Sequence, residues 1–333
     1  MRDYALLILS LGTILVGAAG FTNGVEWLGK KLKLGDGAVG SILAAVGTAL
    51  PETMVPIIAF LGGSHNGEMT SEIGIGAILG APLMLSTLAF FISGLAVLVF
   101  RRENRPLNLD SRVVVHDLGF FVVVYGLAVM ASFLPALPKR LCALALLVSY
   151  VWYVLRTVRA SKGQDSGEIP PPLYLAAGAR DPALGRVLTQ VALALLLIIG
   201  GAHGFVQAVK AVALAQGVPA FVLSLIITPI ATELPEKFNS VVWLRQGKDT
   251  LALGNISGAM VFQSSVIPPL GILLTPWHLE YLALWSALLA LLAALVPYSV
   301  LKRYGLIRPS TLLLSGGFYL VFILAVLKVS TAA

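Results

Sequence analysis

The chain has 333 residues, of which 58% are hydrophobic and only 12% charged, with a net charge of +7 and a mean hydropathy of +0.91. Soluble domains carry about 25% charged residues, so this composition excludes an ordinary soluble protein and points to an all-α polytopic membrane protein whose main partner is the lipid bilayer. The single Cys142 excludes an internal disulfide or a cysteine metal cluster. The basic residues form short, separated clusters, which fit loops at a membrane face and not nucleic acid.

The apolar runs predict about ten transmembrane helices, near 4–27, 38–62, 71–99, 112–134, 139–160, 186–212, 219–244, 250–274, 278–300 and 310–329. The first has Asp3 near its start and no clear cleavage site, so it reads as a span and not as a signal peptide. Asn23 in span one, and His203 and Gln207 in span six, are either path-lining or helix–helix hydrogen-bonding groups. His65, Glu68 and Glu72 crowd an external loop and read as solvated. His116 and Asp117 open span four, which predicts a place at the membrane interface. Residues 161–185, with three consecutive prolines, read as a cytoplasmic linker between a first half (1–160) and a second (186–333). Within it Asp181-Pro182 has the form of a helix N-cap followed by a first-turn proline. With the N-terminus outside, 17 of the lysines and arginines fall in inside loops and five outside. That asymmetry predicts N-out and C-out.

The two halves repeat. "VGAAGFTNG…GTALPE" aligns with "GGAHGFVQA…ATELPE": Gly20-Phe21 meets Gly204-Phe205 and Leu50-Pro51-Glu52 meets Leu234-Pro235-Glu236, at one constant offset. "GIGAILGAPLML" then meets "ALGNISGAMVFQ", pairing Gly76 and Gly80 with Gly254 and Gly258. Five spans is an odd number, so the second half enters the membrane from the opposite side. The expected architecture is two inverted five-helix repeats, as in secondary transporters, with a binding site near the midplane where Gly/Pro-interrupted helices meet.

The repeated Leu-Pro-Glu segments carry the chemistry. A proline inside a helix removes one backbone hydrogen bond and frees carbonyls. A carboxylate at the bilayer centre costs about 2.5–3.5 kcal/mol on insertion scales unless paired. Two facing carboxylates repel, and a divalent cation or protons between them relieve the repulsion. Thr48 and Glu52 share a helix face, as do Thr232 and Glu236. Hydroxyls, carboxylates and loosened carbonyls form an oxygen set that suits calcium. The glycine pairs permit close helix approach, or are plain bilayer packing.

"GTALPE" with "GIGAILGAPLML", and "ATELPE" with "GNISGAMVFQ", resemble the two alpha repeats of the sodium/calcium exchanger family, in the cation/calcium antiporter superfamily. The matching alpha regions are about 38–99 and 219–274. The resemblance implies alternating access, with spans one and six sliding past a core of the rest. Its cation-ligand positions land on Glu52, Glu236, Thr48 and Thr232, and on Gln263 at the end of the second motif. Other family oxygens are missing: the serines land on Ala49, Ala81 and Ala259, and the last ligand of the first motif lands on Leu85. Glu233 is a third carboxylate, and three roles stay open for it: cation ligand, proton carrier, or salt-bridge partner of Lys237.

The function implied is a secondary active cation antiporter, most simply exchanging calcium against sodium or protons, with no resident cofactor. Alternatives are an exchanger of another cation or solute, or a non-transporting sensor or scaffold with an eroded ion site. No enzyme motif of the His-Glu-x-x-His, Asp-rich or Gly-x-Ser-x-Gly kind occurs. Short loops suit a prokaryotic inner membrane.

Overall fold

The computed structural model describes residues 2–31, 44–61, 67–102, 104–160, 171–179 and 181–332; the side chains at 44–51 and 234–239 lie outside the described set. All regular structure among the described residues is helical. In chain order the helices are α1 (Arg2–Lys31), α2 (Ala44–Leu61), α3 (Gly67–Met84), α4 (Phe90–Arg101), α5 (Ser111–Met130), α6 (Ala136–Ala160) and α7 (Leu184–Gln216). They continue as α8 (Ala220–Arg245), α9 (Asp249–Ser265), α10 (Ile267–Leu274), α11 (Tyr281–Tyr304) and α12 (Pro309–Ala332). Among the described residues eight stretches are long and apolar enough to cross a membrane, and two shorter apolar stretches, Glu52–Leu61 and Ala220–Ile230, lie in α2 and α8. A helix satisfies its own backbone groups, which apolar surroundings require.

The predicted interruptions fall elsewhere than expected. α2 stays helical through Pro51 and Pro56, and α8 through Pro229 and Pro235. The irregular backbone lies in the next spans. A π-helical turn at Leu85–Ala89 joins α3 to α4, shortly after Pro82. There Ser86 Oγ donates to the Pro82 carbonyl at 2.7 Å and Thr87 Oγ1 donates to the Leu83 carbonyl. These hydroxyls occupy carbonyls in the widened turn, so the distortion carries its own partners. In the second half, Val266 (φ −102°, ψ −39°) separates α9 from α10, ahead of Pro268 and Pro269.

Two close seams organise the packing. α3 lies against α8: a Cβ on Gly76 would sit 2.5 Å from the Phe221 carbonyl oxygen, and one on Gly80 would sit 2.7 Å from Pro229 Cγ and against the Leu225 carbonyl. α1 lies along α7: a Cβ on Gly17 would sit 2.9 Å from Ile198 Cγ1, and one on Gly201 would sit 2.8 Å from Ile14 Cγ1. Only glycine allows backbones this near. The largest core runs through α3, α4, α5, α9 and α11, with Ile78, Leu83, Phe90, Phe121, Ile256 and Met260 fully buried.

Two polar ties hold the ends. Arg101, at the end of α4, donates to both carboxylate oxygens of the buried Asp249 and, through Nε at 2.8 Å, to the Leu244 carbonyl. Residues 171–179 are strapped to α1 and α7. Trp27 Nε1 and Asn23 Nδ2 donate to the Pro171 carbonyl at 2.8 and 3.3 Å. Gln190 Nε2 donates to Asn23 Oδ1 at 2.9 Å, and Gln190 Oε1 accepts from Leu175 N at 2.9 Å. Asn23 is therefore a strap residue, while His203 and Gln207 face outward. Asp181 is not the helix cap that its sequence suggests. It pairs with Lys31 at 2.6 Å, α7 begins at Leu184, and the ammonium holds the Asp181 carboxyl below its ordinary range.

Gly201→Ala is expected to destabilise the detergent-solubilised protein by about 1–3 kcal/mol, the usual cost of overpacking. Gly200→Ala, where a Cβ meets nothing within 4 Å, is expected to be neutral or slightly stabilising. Equal thermal-unfolding midpoints for the two variants would contradict the seam.

Candidate cation site

The expected ligands sit on α2, α8 and α9, and these three helices touch one another. Glu52 is buried on α2, at 5% exposure. Thr232 and Glu233 are buried on α8, the latter at 1%. Gln263 is buried on α9, at 2%. The backbones at Thr48 and Glu236 are helical, but their side chains lie outside the described residues, as does Lys237. The Glu233–Lys237 ion pair is thus outside the described residues too.

One contact joins these ligands directly. Gln263 Nε2 donates to Glu233 Oε1 at 3.2 Å. The other end of the same amide, Gln263 Oε1, is buried and meets no hydrogen-bond donor among the described residues. A buried amide oxygen with an open lone pair beside a buried carboxylate is an unfilled acceptor set. Thr232 Oγ1 donates back to the Thr228 carbonyl at 3.1 Å, which leaves its lone pairs available. Farther along the same contact, Asn255 Nδ2 of α9 donates to Ser240 Oγ of α8 at 3.5 Å. Among the described residues no group of three or more His, Cys, Asp or Glu side chains forms.

Two of the positions where family oxygens are missing are packed away from solvent. Leu85 opens the π-helical turn and is fully buried, and Ala81 is buried one turn before it. The polar side of the arrangement therefore comes from α8 and α9, with Glu52 the described contribution of the first half.

A further carboxylate, Asp117, has partners that the sequence reading did not foresee. It is buried on α5 at 4% exposure, accepting from Tyr153 Oη at 2.8 Å and from Ser257 Oγ at 2.7 Å. The signal available was an acid seven residues into an apolar run, "SRVVVHDLGFF". His65 lies outside the described residues and so does the Glu68 side chain; Glu72 is half-buried on α3.

The sequence model for the family described as "Sodium/calcium exchanger protein" matches residues 3–159 and 187–328. The chain belongs to that family. Among characterised relatives, the inner membrane protein YrbG of Escherichia coli (strain K12) is 24% identical over 319 residues, covering 94% of each chain. The fold matches the solved H+/Ca2+ exchanger CAX with a TM-score of 0.76 at 17% identity, over 98% of this chain and 82% of that one. It also matches the sodium-calcium exchanger NCX_Mj, soaked with Na+ and Sr2+, with a TM-score of 0.60 at 19% identity, over 97% and 98%. The two segments of the family match leave out 160–186, nearly the stretch that the sequence marks as a linker.

Gln263→Ala removes the amide donor from Glu233. With no cation present it is expected to cost about 1–3 kcal/mol, the penalty of a buried acceptor losing its partner. Chemical or thermal unfolding in detergent checks this, and an unchanged midpoint would contradict the pairing.

Proposed function

We propose that the chain is a secondary active cation antiporter that exchanges calcium against protons or sodium by alternating access. In this reading the ten spans are two inverted five-helix repeats, 1–160 and 186–333, joined by a cytoplasmic linker at 161–185, with both termini outside. The site lies between the two Leu-Pro-Glu segments. Glu52 and Glu236 are the principal ligands, and Thr48, Thr232 and Gln263 supply neutral oxygens. The observation that carries the reading is the buried, donor-free Gln263 Oε1 beside Glu233. Calcium takes six to eight oxygens from carboxylates, amide carbonyls and hydroxyls, and tolerates irregular geometry.

The counter-ion follows from what has been lost. Sodium is held largely by neutral oxygens, and three of the family's hydroxyl positions are alanine here: Ala49, Ala81 and Ala259. What has been gained is Glu233, a carboxylate at 1% exposure. Glu233 stands beside Gln263, whose amide donates to it. In this reading it takes up the proton that exchanges for the cation. Proton coupling is therefore preferred over sodium, and Glu233 is its carrier. A prokaryotic inner membrane, with an imposed proton gradient, suits this chemistry.

Purified protein in liposomes is expected to take up calcium when a pH gradient is imposed and to respond weakly to a sodium gradient. Glu52→Gln and Glu236→Gln are each expected to abolish the flux, and Glu233→Gln to remove its dependence on the pH gradient. Flux that survives Glu52→Gln and Glu236→Gln would overturn the site, and flux driven by sodium alone would overturn the coupling.

A further inference from the structure

α9 is engaged on two opposite sides. Toward α8 it presents Asn255 to Ser240 and Gln263 to Glu233. Ser257, two residues beyond Asn255, points about 200° round the helix from it. It is fully buried and donates to Asp117 Oδ2 at 2.7 Å. The other oxygen of Asp117 accepts from Tyr153 Oη of α6 at 2.8 Å. Tyr153 stacks on Tyr150 (6.5 Å, 18°), and Tyr150 meets Phe262 edge-on (5.5 Å, 82°). Phe262 is the residue before Gln263. Asp117 thus reaches α9 at two places, directly at Ser257 on the side away from Asn255 and, through two tyrosines, at Phe262 beside Gln263. Both places lie between Asn255 and Gln263 along the helix.

We propose that Asp117 is a positioning residue for the cation site: it sets the rotation of α9 that presents Gln263 and Asn255 to α8. This rests on the reading of Gln263 as a cation ligand. A carboxylate suits the task because two hydroxyl donors face it, and its two oxygens accept from both at once. An asparagine offers one acceptor oxygen and an amide donor, so the two hydroxyls can no longer both donate and one of them must turn round. Asp117 touches α9 only from behind and does not itself bind the cation. His116, with Nδ1 3.6 Å from Asp117 Oδ1 and its ring stacked on Tyr153 at 5.6 Å, flanks the bracket from a partly exposed position.

The test uses the whole chain with Cys142→Ser, and it has two readouts. In liposomes, Asp117→Asn and Ser257→Ala are each expected to raise the half-saturating calcium concentration about three- to tenfold, the fold-change of one lost hydrogen bond, with maximal flux and pH profile near those of the parent. In a Gln263→Ala background, Ser257→Ala is expected to add nothing further, because the group being positioned is gone. Independently of transport, Ser240→Cys with Asn255→Cys is expected to be bridged efficiently by a short bifunctional thiol reagent. Adding Asp117→Asn or Ser257→Ala is expected to lower that yield several-fold in protein that is still folded. An unchanged cross-linking yield overturns the inference whatever the flux does. A pH profile that moves while the half-saturating concentration stays put makes Asp117 a titrating group, and also overturns it. If the cross-link weakens but Gln263→Ala leaves calcium affinity intact, the cation-site reading fails while the hold of Asp117 on α9 stands.

Discussion

Carboxylates taken out of water need compensation, and the arrangement around Glu233 is built on that requirement. Replacing water around an ionised carboxylate costs several kcal/mol even after the protein relaxes. Glu233 is almost fully buried, with Gln263 as a donor and Glu52 buried on a neighbouring helix. Such burial requires α8 to be enclosed closely. The glycine seam at Gly76 and Gly80 brings α3 against the α8 backbone on one side, and α9 covers another. Larger residues at the seam would push α3 away and loosen the enclosure. The amide at Gln263 supplies a donor to the carboxylate and an acceptor that nothing in the described protein fills. That asymmetry is what a passing cation would use.

The strap and the clamp divide the helices into two groups. α1 and α7 share a glycine seam and are tied through Asn23, Trp27 and Gln190 to the backbone of the linker. Arg101 and Asp249 tie α4, α8 and α9 at their ends. In an alternating-access cycle, α1 and α7 would travel as a strapped pair past a clamped remainder.

The helices and their order were legible in the sequence because apolar length and loop punctuation are local signals. The seam was legible in part: Gly76 and Gly80 do meet α8, whereas a Cβ at Gly254 or Gly258 meets nothing described within 4 Å. Matching letters in two repeats need not make matching contacts. The proline argument misplaced the irregular backbone, because a helix tolerates a proline when one lost hydrogen bond is its whole cost and neighbours absorb the bend. The π-helical turn at Leu85–Ala89 has no such loud signature; it depends on two hydroxyls, Ser86 and Thr87, finding carbonyls within one turn. The burial of Asp117 was not legible, because nearness to a span's end says nothing of which way the residue faces. Its partners, Tyr153 and Ser257, come from distant parts of the chain. The Gln263–Glu233 hydrogen bond was likewise invisible as a pair, although each residue stood out singly.

The central proposal is that a cation sits between Glu52 and Glu236, with Gln263 among its ligands. The most direct test is anomalous scattering from crystals soaked with strontium, which stands in for calcium with the same charge and oxygen preference. The account predicts a single strong anomalous peak within coordination distance of Gln263 Oε1 and the Glu52 carboxylate. A peak elsewhere, with none between α2, α8 and α9, would contradict it.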